Sequence, residues 1–254
     1  MFNSYYWSPV PMSDPVLDAA RAELREPTSL DASLGAFRTL LRSSSPAAVG
    51  VALDHFRYAE ASSRFGTANP FLSEADAVVR QARAALDEPA VAKATEGAAF
   101  DGANHASALA ALVNLAQPED GARVTRALDS ARDVNVRENA LQLAKRIARM
   151  SAASPPLVDA LLRAAGNRAW SSNERAEALG VLYRAAPAQG VRLALRHLLD
   201  PDLMMQARAA WVLLQDDPEA NRDRVVALVA DWPDDAPFPA VDVRLALEDG
   251  PARS

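Results

Sequence analysis

Four related octets decide how this chain is read. They are His105-Ala-Ser-Ala108-Leu109-Ala-Ala-Leu112, Arg137-Glu-Asn-Ala140-Leu141-Gln-Leu-Ala144, Arg175-Ala-Glu-Ala178-Leu179-Gly-Val-Leu182 and Gln206-Ala-Arg-Ala209-Ala210-Trp-Val-Leu213. Each sets an alanine inside an apolar helix face, and the anchor alanines step by 32, 38 and 31 residues. Such spacing is expected when one supersecondary unit stacks on copies of itself. A second apolar helix follows each anchor, marked by Val124/Leu128, Leu157/Leu161, Val191/Leu195 and Val225/Val229. The pattern predicts an all-α fold, a right-handed α-solenoid.

Working outward, Ala77 and Ala36 extend the register toward the N-terminus, giving about six helix pairs. Residues 1–28 read as an aromatic arm (Phe2, Tyr5, Tyr6, Trp7) and a capping helix that Asp14-Pro15 starts. Residues 29–100 read as divergent repeats. Ser29 or Asp31 caps one helix, Pro46 opens a longer one to about Arg64, and the next runs from Ser73 to Leu86. Pro89 to Phe100 makes a poor second helix, and Gly66 to Phe71 is a long connection. Residues 101–232 are the regular repeats. Residues 233–254 are a proline-rich linker, a capping helix from Val241 to Leu247 and a tail.

The local motif resembles the HEAT-like repeats of bacterial proteins, whose first helix reads Asp-x-x-x-Val-Arg-x-x-Ala-x-x-Ala-Leu. Asp133-Val-Asn-Val136-Arg137-Glu-Asn-Ala140-Leu141 carries most of that pattern, and the next unit keeps Arg175, Ala178 and Leu179. Gln206 and His105 stand where the arginine belongs in the other two. The resemblance implies that Asp caps the first helix, that Arg bridges to a neighbouring unit's acid, and that second helices line a concave face.

Composition excludes several chemistries. With no cysteine, disulfides, zinc ribbons and thiol nucleophiles are ruled out. No long apolar run or basic-then-apolar leader appears, so a cytoplasmic, non-membrane protein is expected. Net charge is −6, so the chain as a whole should repel a polyanion, and residues 101–232, with 16 basic and 16 acidic side chains, are neutral; nucleic acid is not expected as a partner. The three histidines, His55, His105 and His197, stand far apart, and the chain has no glycine-rich phosphate loop. No catalytic residue, cofactor or metal site is expected.

The densest polar cluster is Asp54-His55-Phe56-Arg57-Tyr58-Ala-Glu60, continuing to Arg64. On a helix Asp54, Arg57 and Tyr58 share a face, as do Arg57, Glu60 and Arg64. Such a face is either a solvated ion-pair network or a recognition patch. The second helices carry Arg123, Arg126, Arg163, Arg192, Arg196 and Arg222, with Asp129 and Asp159 interspersed. Those arginines form no single column, which favours a mixed-charge surface for another protein over a phosphate track. The expected function is a non-catalytic protein-binding scaffold or a regulatory or immunity-type module. Its contacts are assigned to Asp54, His55, Arg57, Tyr58, Glu60, Arg64, Arg126, Arg163 and Arg196. The alternative is a DNA-binding enzyme resembling the HEAT-like alkylpurine DNA glycosylases.

Overall fold

The computed structural model describes residues 12, 14–63, 69–88, 103–236 and 238–248, without the side chains of 60–63 and 103. Among them the chain is all-α, with thirteen α-helices and no strand. The expected aromatic arm, the second helix at 89–100 and the first half of the 66–71 connection lie outside the described residues. The chain divides into two compact units, residues 1–146 and 147–254.

The first unit contains α1 (Pro15–Arg25), α2 (Leu30–Leu41), α3 (Pro46–Ser63), α4 (Ala75–Asp87), α5 (Ala103–Leu112) and α6 (Gly121–Ser130). A further helix, α7 (Val134–Arg149), runs from this unit into the second. The caps follow the sequence. The Asp14 side chain accepts from the Val16 N–H and Ser29 from the Ala32 N–H, each satisfying a donor that a helix start leaves orphaned. Asp133 does the same for Asn135 and Val136 at the start of α7. Helix α5 packs on both α3 and α4, and it buries residues on every side, from Asn104 and Ser107 to Leu109 and Leu112. Alanine and serine at most of its positions let the neighbouring helices approach closely. Phe37, Leu40, Leu53 and Phe56 fill the rest of this core.

The second unit contains α8 (Pro155–Gly166), α9 (Ser172–Ala185), α10 (Pro187–His197), α11 (Leu203–Asp216), α12 (Pro218–Val229) and α13 (Ala240–Glu248). Helix α9 packs against α8, α10 and α11, while α11 packs against α9, α10, α12 and α13. Both inner helices are buried around most of their circumference; α10 buries only Gly190 and Ala194, and α12 only Val225. A capping box starts α9, with Ser171 Oγ accepting from the Glu174 N–H and Glu174 Oε2 accepting from the Ser171 N–H at 2.9 Å.

The anchor alanines at 108, 140, 178 and 209 are fully buried, and Ala36 is nearly so. Ala77 is only half-buried, because Val78 and Ala82 take the inner positions of α4. Two anchor-helix side chains reach forward along the second unit. Arg175 donates to Asp200 at 3.4 Å, and Gln206 Oε1 accepts from the buried Trp232 indole at 2.6 Å.

Candidate functional site

The polar cluster on α3 does not form one surface. Asp54 is buried, 3% exposed, on a helix whose neighbour α5 also buries polar side chains. His55 stands edge-on to Phe71 with ring centroids 4.8 Å apart, and 6.4 Å from Phe37. Phe71 is delivered there by the 3-10 turn Pro70–Glu74, which Asn69 caps through the Phe71 N–H. Burial in this aromatic nest pushes the His55 imidazole down to about 4, so it is neutral at neutral pH. Arg57 is half-buried and lies over the Tyr58 ring at 5.6 Å. Glu60 lies on α3 without a described side chain, and Arg64 lies outside the described residues.

The arginines of the second helices sort into two groups. Arg126 is exposed, but its guanidinium pairs with Asp87 of α4 at 2.7 Å, and Arg123 pairs with the same carboxylate at 2.5 Å. Those two arginines hold the Asp87 carboxyl below the ordinary value. Beside them the fully buried Asp120 takes two bonds from Arg83, at 2.8 and 3.1 Å, and accepts the Gln117 N–H at 2.9 Å. Arg222 donates to the Leu247 carbonyl. These groups tie one helix to the next.

Arg192 and Arg196 belong to the second group. Both are exposed on α10, and among the described residues neither has an ion-pair or hydrogen-bond partner. They line a groove of about 340 Å³ between α8 and α10, together with Asp159, Leu162, Gln189 and Leu193. The Gln189 side-chain oxygen is shut off from solvent and receives no hydrogen bond. Arg163 is exposed on α8 but does not line this groove.

Leu195 was expected inside and is instead 45% exposed; Leu199, just past the helix end, is 84% exposed. The register follows from Gly190. Its Cα sits so close to α9 that a Cβ there would lie 2.5 Å from the Tyr183 Cα, which fixes Gly190, Ala194 and Leu198 as the inward positions. Arg192, Leu195, Arg196 and Leu199 are then neighbours at three- and four-residue spacing on the outer surface. The last turn is held by Asp200, which accepts from Arg175 and lies 2.9 Å from His197 Nδ1. Burial pushes Asp200 up, but the Asp202 N–H, His197 and Arg175 more than offset it and hold its carboxyl below the ordinary value.

A larger cavity of about 610 Å³ in the first unit is walled by Val49, Gly50, Leu53, Ala84 and Ala85. Glu88 and Asn104, also in its wall, adjoin residues 89–102, which are not among the described ones. Among the described residues no group of three His, Asp or Glu side chains is placed to hold a metal ion. No described helix is long and apolar enough to cross a membrane. No protein-family model, no curated protein and no solved structure matches this chain.

Proposed function

We propose that the protein is a non-catalytic protein-binding module, built from HEAT-like helix pairs, that engages its partner through the outer face of α10. The observation carrying this reading is the strip Arg192–Leu195–Arg196–Leu199, with its two exposed leucines and two arginines that have no partner among the described residues. Scattered exposed leucines are ordinary on a protein surface. Two of them one turn apart form an exposed apolar patch of the kind that marks interaction sites, and the arginines interleaved with them are of a type enriched at interfaces. The HEAT-like part of the reading is supported by the buried anchor alanines, the Asp133 cap and the forward bridge from Arg175 to Asp200. The narrower form, a regulatory or immunity-type protein for a toxin or enzyme, rests on size and acidity.

The test is capture of partners from the native host at physiological salt by wild type and by a Leu195→Ser/Leu199→Ser variant. Any protein retained by wild type alone is then purified and its affinity measured for both. A specific partner bound at least tenfold more weakly by the variant supports the proposal. Equal affinity moves the contact away from α10. Duplex DNA in place of any protein, with a steep salt dependence, replaces the reading with the nucleic-acid one.

A further inference from the structure

The groove beside that strip has a chemistry of its own. Resting on the protein-binding reading, we propose that it takes the free C-terminus of a partner chain, an aliphatic last residue whose carboxylate sits between Arg192 and Arg196. Three features converge on that ligand. The two guanidinium groups stand one turn apart on α10 without partners among the described residues, and arginine forks match the planar, two-oxygen geometry of a carboxylate. Leu162 and Leu193 provide half-buried apolar contacts suited to a branched aliphatic side chain. The orphaned Gln189 oxygen carries the penalty of a buried acceptor without a donor. Turning that amide toward a backbone N–H in the groove removes the penalty.

A terminal residue offers carboxylate, N–H and apolar side chain from a single Cα, and that compactness suits a groove near the lower end of ligand-site volumes. An internal glutamate spreads the same groups along a longer side chain and needs room for the chain to leave at both ends. Phosphodiester backbones fit worse still. They would bring successive charges against Asp159 and find no use for the leucines. Asp159 instead suits a donor or cation on the residues preceding the terminus. Capture of a chain-terminal carboxylate is a recurring mode of peptide recognition.

Fluorescence anisotropy with the intact protein tests this. The probes are fluorescein-labelled Gly-Ser-Gly-Ser-Ala-Leu with a free carboxylate, the same peptide amidated, and Gly-Ser-Ala-Glu-Leu-Ser-Gly amidated, whose only carboxylate is internal. The free-carboxylate peptide is expected to bind saturably, and the other two at least tenfold more weakly. Loss of charge-assisted bonds in Arg192→Gln/Arg196→Gln should weaken it about 10- to 100-fold. Both side chains are exposed, and circular dichroism checks that the variant folds as wild type does. Equal binding of acid and amide, equal binding of the internal glutamate peptide, or no saturation by the free acid at millimolar concentration each overturns the inference. Partner capture that persists and still depends on Leu195 and Leu199, without peptide binding, sinks the terminus inference alone. Loss of both sinks the binding reading with it.

Discussion

Gly190→Ala is expected to destabilise the protein although alanine is the better helix former. Gly190 lies in α10, and an added Cβ would stand 2.5 Å from the Tyr183 Cα, 2.8 Å from its Cβ and 2.9 Å from its backbone nitrogen. Non-bonded carbon atoms settle at about 3.5–4.0 Å, so α10 must back off from α9 by roughly 1 Å. None of the three obstructing atoms can swing away, because two are backbone and the third is fixed to it. Overpacking of this kind costs about 1–3 kcal/mol, and the rigid obstacle puts this site at the upper end. Against it stands a helix-propensity gain of at most about 1 kcal/mol. The net expectation is a loss of about 2 kcal/mol. Gly180→Ala in α9 is the internal control, since the nearest atoms its Cβ would meet belong to the Arg208 side chain, at 3.4 Å or more. It should be neutral or stabilise by up to about 1 kcal/mol. Urea unfolding followed by circular dichroism reads both variants against wild type. A Gly190→Ala protein as stable as wild type would refute the packing and with it the register that exposes Leu195.

Three further outcomes are expected. Asp120→Ala removes a fully buried carboxylate from Arg83 and from the Gln117 N–H, and breaking one side of such a pair should cost about 3 kcal/mol in urea unfolding; a loss under about 1 kcal/mol contradicts that pairing. His55 has its folded-state value lowered from 6.5 to about 4, so its contribution is complete above pH 6.5 and is lost as pH falls from 6.5 toward 4, amounting to about 3 kcal/mol. Comparing urea midpoints at pH 7 and pH 4.5, His55→Phe should show a smaller drop than wild type, and an identical drop in both counts against burial as the cause. Ser171→Ala loses one arm of the α9 capping box and should lower stability by about 1 kcal/mol; an unchanged midpoint would mean that the cap is not formed in solution.

The helices were legible wherever local chemistry decides them. Asp14-Pro15, Ser29, Pro46 and Asp133 are caps and first-turn prolines that act within a few residues, and the helices start at or beside them. The candidate site was less legible because long-range pairing decides which polar groups are already used. Arg126 and Arg123 look alike in sequence to Arg192 and Arg196, yet the first pair is consumed by Asp87, about 40 residues away along the chain. Asp54 and His55 read as surface groups on a polar stretch, but the neighbours that enclose that stretch, such as Phe71, come from later elements. Helix α10 misled for another reason. Leucine stands at 193 and 195 within it and at 198 and 199 just past its end, so its apolar period is ambiguous, and the contact of Gly190 with Tyr183 decides which leucines face inward. No local signal pointed to Gln189.

The central claim is that α10 presents the partner-binding surface, and photo-cross-linking in the native host tests it most directly. A benzophenone amino acid is placed at Leu199 and, as a control, at Leu30, which is also exposed and lies at the start of α2. The account predicts a discrete cross-linked species from position 199, absent from position 30 and reduced by Arg192→Gln/Arg196→Gln. No adduct at 199, or the same adducts from both positions, would contradict it.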